Sequence, residues 1–232
     1  HPDAVRLVAN LATVRKELGR YSEAEAMYRR ALAQMEGRFG PEHPQVAVAC
    51  NDLAVVLQEQ GRPDEAEPIY RRAVGIARST LGDGHPITGI FLANLAESLS
   101  LQDRSAEAEA MFDQALAIER AAFGEAHPAI AEALRGMSRV YADLGRLEDA
   151  EGVLEESIAV RRRVQGETHP EVGRTLIRLA EVHFERGDPG SAIEALGEAR
   201  SILTDSLPPG HRYLEAVDRL LARAGATGEG PG

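Results

Sequence analysis

A His-Pro dipeptide, or its His-Arg relic, stands at positions 1, 43, 85, 127, 169 and 211 of this 232-residue chain, one copy every 42 residues. A fixed period of this length marks units too small to fold alone, each burying its apolar face on its neighbours. The chain therefore has to be read as columns across five blocks, 1–42, 43–84, 85–126, 127–168 and 169–210.

Each column has one physical job. Leu11, Leu53, Leu95, Met137 and Leu179 follow Val8, Cys50, Leu92, Leu134 and Leu176 by three positions, an i, i+3 stripe that predicts an amphipathic first helix. Ala12, Ala54, Ala96, Ser138 and Ala180 come next, small residues where a second helix must approach closely. Gly19, Gly61, Asp103, Gly145 and Gly187 end the first helix, where the left-handed conformation is needed. The second helix carries Ala24, Ala66, Ala108, Ala150 and Ala192, then a large residue (Tyr28, Tyr70, Phe112, Leu154 or Leu196), then Ala31, Ala73, Ala115, Ser157 or Ala199. Small–large–small at i, i+4, i+7 describes a face that packs into a groove between two helices.

An apolar residue and a glycine close each block before the next His-Pro: Phe39-Gly40, Leu81-Gly82, Phe123-Gly124 and Val164-Gln165-Gly166. Pro at the first helical position has its φ pre-set and lacks an amide that would go unbonded, which puts the His at or beside the N-cap. After Leu207-Pro208-Pro209-Gly210, residues 211–223 read as one capping helix. The Gly/Ala/Pro-rich residues 224–232 have nothing to bury and are expected to be disordered. The chain opens in mid-motif without Met, as expected of a piece of a longer protein.

Composition excludes several function classes. A net charge of −11 argues against bulk attraction to nucleic acid or anionic membrane. Cys50 is the lone cysteine, which rules out an internal disulfide and suits a reducing, cytoplasmic compartment. No long apolar run reads as a transmembrane helix and no leader is visible. Lys16 is the single lysine among 26 basic residues, a bias that points to GC-rich coding and says nothing of mechanism.

Catalytic and metal chemistry find no constellation. Equivalent histidines of stacked repeats lie roughly 10 Å apart, the spacing of packed helices, too far to share a metal held at about 2 Å. His183 falls in a column with Leu57, Leu99 and Tyr141 and reads as a packed histidine. Glu23-Glu25, Glu65-Glu67 and Glu107-Glu109 sit in the first turn of each second helix, where acids complement the helix dipole. There is no glycine-rich phosphate loop and no nucleophile elbow. No enzyme activity, cofactor or metal is expected.

The columns resemble the tetratricopeptide repeat, and more narrowly its 42-residue variety found in kinesin light chains and many bacterial proteins. The residues that carry the resemblance are Asn10-Leu11-Ala12, Asp52-Leu53-Ala54, Asn94-Leu95-Ala96, Gly19-Arg20-Tyr21, Ala24-Glu25, Tyr28 to Leu32 and Phe39 to Pro44. It covers residues 1 to about 210; Gly136 and Arg178 depart from it where the Asn stands. It implies an all-α, right-handed superhelical solenoid of five helix-turn-helix repeats plus the capping helix, one domain over residues 1–223. It also implies a concave face lined by first helices, and a bacterial source is in keeping with it.

On that face, repeats one to three carry Arg6, Asn10, Thr13, Asn51, Asp52, Val55, Ile90, Asn94 and Glu97. Repeats four and five carry Arg135, Arg139, Arg174 and Arg178, in pairs one helical turn apart. In the family, Asn at the column of Asn10 and Asn94 contacts peptide ligands, so the resemblance makes Asn10 and Asn94, with Asn51 one column away, readers of a peptide backbone. The four arginines suit carboxylates, taken bidentately, and internal pairing with Glu132, Asp143, Glu181 and Glu185 is the competing reading. The expected function is a scaffold that binds an acidic or carboxylate-bearing peptide or protein segment. The alternatives are a regulatory arm whose groove engages another domain of its own chain, and self-association through the exposed first repeat.

Overall fold

The computed structural model describes residues 11–16 and 18–228, and among them every regular element is helical. Residues 11–16 belong to α1; α2 (Tyr21–Phe39), α3 (Pro44–Glu59), α4 (Pro63–Leu81), α5 (Pro86–Ser100) and α6 (Ser105–Phe123) follow. Then come α7 (Pro128–Asp143), α8 (Leu147–Gln165), α9 (Pro170–Glu185), α10 (Pro189–Ser206) and α11 (Arg212–Gly228). The all-α repeat architecture read from the columns is the one the chain adopts. It divides into two compact units, residues 1–122 and 123–232, so the cut falls at the end of the third repeat. In unit 1 each helix packs on its successor in the chain from α2 to α5; in unit 2 the same holds from α7 to α11.

Both helix ends are built as the motif predicts. His43, His85, His127 and His169 are N-caps with extended backbone, each followed by Pro. Each Nδ1 accepts the amide two residues on, at 3.2 Å from Gln45, Ile87 and Ala129 and 3.3 Å from Glu171. His211 accepts from Tyr213 at 3.3 Å in the same way. Phe39 and Phe123, the apolar loop residues, stack on His43 and His127 with ring centroids 4.7 and 3.9 Å apart. At the other end, Asp103 adopts φ +59° beside Gly61 at +73° and Gly145 at +73°, so one left-handed turn serves every repeat.

The seam between helices is closed by small residues. Ala12, Ala54, Ala96 and Ala180 are fully buried, as are Ala24, Ala66, Ala108, Ala150 and Ala192. Ser138 replaces alanine without leaving a buried hydroxyl unpaired, because its Oγ donates to the Arg135 carbonyl at 2.7 Å. Large residues fill the space between, with Tyr70, Phe112, Leu154 and Leu196 at 1% exposure or less. Burying one such side chain contributes about 1.5–3 kcal/mol.

The helices also fit by size. A Cβ on Gly173 would lie 2.8 Å from Leu203 Cγ, and one on Gly89 would lie 3.2 Å from Glu119 Cγ. The equivalent Ala47 is also fully buried, and the residue in the facing column there is only Ala77.

On the second-helix side, arginines clasp neighbouring repeats. Arg62 donates to Glu65 at 2.6 Å and to Glu25 of the preceding repeat at 2.8 Å; Arg104 does the same with Glu107 at 2.7 Å and Glu67 at 2.8 Å. Burial pushes the Glu67 carboxyl up, but hydrogen bonds from Arg71 and Arg104 outweigh it and hold it below the usual range. The paired acids thus join repeats as well as facing the helix dipole.

Two boundaries differ from expectation. Helix α11 runs to Gly228, five residues past 223, so residues 224–228 are helical rather than disordered; Ala224 is 5% exposed and alanines favour continuation. The remaining tail residues lie outside the described ones. In the first repeat Leu11 is 47% exposed, whereas Leu53 and Leu95 in its column are at 1% and 2%.

The size fit predicts that Gly173→Ala costs about 1–3 kcal/mol, since Leu203 has to move. Gly197→Ala, at an open position on α10, is expected to stabilise by about 0.5–1 kcal/mol. Thermal unfolding of the two variants checks the pair.

Candidate functional site

The first helices carry the residues singled out from the sequence. In unit 1, Asn94 on α5 donates from Nδ2 to Asn51 Oδ1 on α3 at 2.8 Å. Asn51 is only 8% exposed. Burial pushes the carboxyl of the adjacent Asp52 up, opposed by a hydrogen bond from Asn51 and by the charge of Lys16. The amides therefore form a relay from Asn94 through Asn51 to Asp52. This spends Asn51 inside the protein and leaves the half-buried Asn94 as the more accessible member. Asn10 lies outside the described residues.

In unit 2 all four arginines meet carboxylates. Arg135 pairs with Glu132, and Arg174 with Glu171 at 2.6 Å. Arg178 pairs with Glu181 at 3.0 Å, and Arg139 reaches Asp143 only at 4.0 Å. The internal pairing weighed at the sequence level is thus present, with Glu171 as an unforeseen partner in place of Glu185.

Two of the four belong to a larger network. Arg161 on α8, its side chain 3% exposed, pairs with Glu132 and, at 3.5 Å, with Glu171. Local burial pushes the Glu132 carboxyl up, but Arg135 and Arg161 overcome this and hold it down at about 2. Arg174 also lies over the Tyr213 ring, 5.0 Å from its centroid, so the network ends on the capping helix. Arg161 was not singled out from the sequence. Its signal was there, an arginine in a column otherwise held by Met35, Ala77, Glu119 and Leu203.

The outcome is a division of labour. Arg135 and Arg174 are bound into a network around a buried guanidinium. Arg139, with a side chain 51% exposed, forms the weak kind of surface pair; Arg178, 23% exposed, is half-buried, and each has one acid of its own helix as partner and lies outside that network. His183 is buried as expected, its Nδ1 3.7 Å from Glu151. Among the described residues no group of three His, Cys, Asp or Glu is placed to hold a metal, and no helix is long and apolar enough to cross a membrane.

A family model described as tetratricopeptide repeat matches residues 4–79, 48–121, 87–163 and 130–205, most of the chain. Comparison with curated proteins found no match. Among solved structures, the nearly identical TPR-like repeats of a Podosopora anserina kinesin light chain are similar over 89% of this chain and 98% of theirs, at 24% identity and a TM-score of 0.69. BtubC (BKLC) from P. vanneervenii is similar over 90% of this chain and 84% of its own, at 23% identity and 0.71. A thermophilic TPR protein of Thermus thermophilus is similar over 92% and 98%, at 21% identity and 0.66. At these identities the likeness speaks for fold alone.

Arg161→Met takes the buried guanidinium away from Glu132 and Glu171, which keep Arg135 and Arg174, and is expected to cost about 1 kcal/mol, against less than about 0.5 kcal/mol for Arg139→Ala. Glu132 is held below its unfolded value, so the network's contribution is present above pH 4.5 and lost as pH falls towards 2. Urea unfolding between pH 2 and 6 is expected to show this acid loss in the native chain and a smaller one in Arg161→Met.

Proposed function

The chain belongs to the tetratricopeptide-repeat family, and from that premise we propose that it binds an acidic, carboxylate-bearing segment of a partner protein on its first-helix face. The fold is generally a protein-interaction scaffold, and which segment it takes depends on side chains that the fold itself does not need. Arg139 and Arg178 meet that description in unit 2. They stand on the adjacent first helices of repeats four and five, outside the Arg161 network, in a chain of net charge −11. That observation carries the proposal.

An incoming carboxylate takes over from Asp143 at little cost, since an exposed pair of this kind contributes only about 0–1 kcal/mol, and on the half-buried Arg178 it competes with Glu181 alone. A guanidinium then gives it two parallel hydrogen bonds. Arg135 and Arg174, held by Glu132 and Glu171, stay in place on the same helices. Unit 1, taken by itself, presents Asn94, an amide suited to an extended backbone and oriented by its bond to Asn51.

Self-association is a second reading, supported by Leu11, Val14 and Leu18, exposed by 47%, 52% and 66% at the outer face of the first repeat. Mass that rises with concentration in light scattering would favour it.

A peptide array read with the native chain and with the Arg139→Ala/Arg178→Ala double variant tests the main proposal. The expected outcome is a set of acidic ligands that weakens about tenfold or more in the variant, roughly 1.4 kcal/mol, and weakens with added salt in the native chain. Melting temperatures should coincide. Acidic ligands bound equally by both proteins would overturn the proposal.

A further inference from the structure

Glu119 on α6 is 1% exposed, and its Oε2 has no hydrogen-bond partner. Its seat is tight because α5 comes close through Gly89, where a Cβ would lie 3.1 Å from Ile118 Cγ2 and 3.2 Å from Glu119 Cγ. The repeat supplies a comparison. Arg161 occupies the same column in unit 2 and is charged with Glu132 and Glu171 beside it. The position of repeat three that corresponds to Glu132 is Ile90, which can offer Glu119 nothing.

The protein thus buries a carboxyl in an apolar helix seam, where its ionised form has lost water and gained no counter-charge. The charged groups on α5 and α6 are Glu97, Glu107, Glu109, Asp113 and Arg120, and α4 reaches α6 through Arg71 and Arg78. Arg71 is paired with Glu67 and Glu107, and Arg78 with Asp83 and Gln114. Burial alone accounts for the displacement of the Glu119 carboxyl, up to about 7.

We propose that Glu119 is a proton-dependent latch: protonated, it closes the seam between α5 and α6, and ionised, it loosens that seam. The direction follows from linkage. The folded value lies above the unfolded 4.5, so the latch contributes fully below about pH 4.5, weakens as pH rises, and is lost above about 7. Near-neutral pH is therefore where a small change of acidity has its effect. Helix α5 also carries Asn94, five residues past Gly89, so a loosened seam reaches the bond to Asn51 and the first-helix face of unit 1.

Native-state hydrogen exchange of the full chain at pH 5.5 and pH 8, corrected for intrinsic rates, reads the latch without any ligand. Protection of amides in α5 and α6 is expected to fall about tenfold or more across that interval in the native protein. It is expected to change less than about twofold in Glu119→Gln, which keeps the shape and cannot ionise. Glu119→Ala, which puts at 119 the residue that Ala77 supplies in its column, is expected to be as flat as the Gln variant. A fall of equal size in the two variants, or none in the native chain, would overturn the proposal.

Discussion

Close approach of two helices in every repeat is the constraint on which the rest depends. It exists because the residues at the crossing are small. Ala54 on α3 and Ala66 on α4 are both fully buried, and the pattern returns as Ala96 with Ala108 and Ala180 with Ala192. Each large side chain then fills the space that the small ones leave, and each left-handed turn is short enough to send the second helix back along the first. Leu203 finds room because the position opposite it is Gly173. Such complementarity is local, so it can be repeated any number of times.

Charge is laid over this frame in two ways. Some arginines are structural: Arg62 and Arg104 tie second helices of successive repeats, and Arg161 is sealed beneath Glu132 and Glu171. Others pair with an acid of their own helix. The distinction matters because an arginine held in a network gives up charge-assisted hydrogen bonds there when it turns to a ligand. A face with many arginines is thus not a face with many binding arginines. Arg139 and Arg178 remain candidates because each is held by a single acid of its own helix.

Much of the fold was legible because each column repeats five times, so that even Asp103 could be read as a left-handed turn from its neighbours Gly61 and Gly145 in the column. The site was less so, for physical reasons. Asn51 and Asn94 stand in neighbouring columns of successive repeats, and nothing in the spacing tells whether one amide is spent on the other. Arg161 joins α7, α8 and α9, and its partners come from different columns of different repeats, so the network breaks the periodicity that made the fold readable. Glu119 shows the same blind spot in the opposite sense. It stands in the column of Arg161, and only the packing against Gly89 reveals that the carboxyl is sealed in without a partner. The end of α11 was misjudged because glycine content outweighed the burial of Ala224.

Backbone and arginine side-chain NMR of the full chain, titrated with an acidic peptide drawn from the array, tests most directly whether the first-helix face is the working surface. The account predicts that the Arg139 and Arg178 signals shift with saturation, together with amides of α7 and α9, while Arg161 stays in place. Shifts confined to the opposite surface, at Arg162, Arg163 and Arg200, would contradict it.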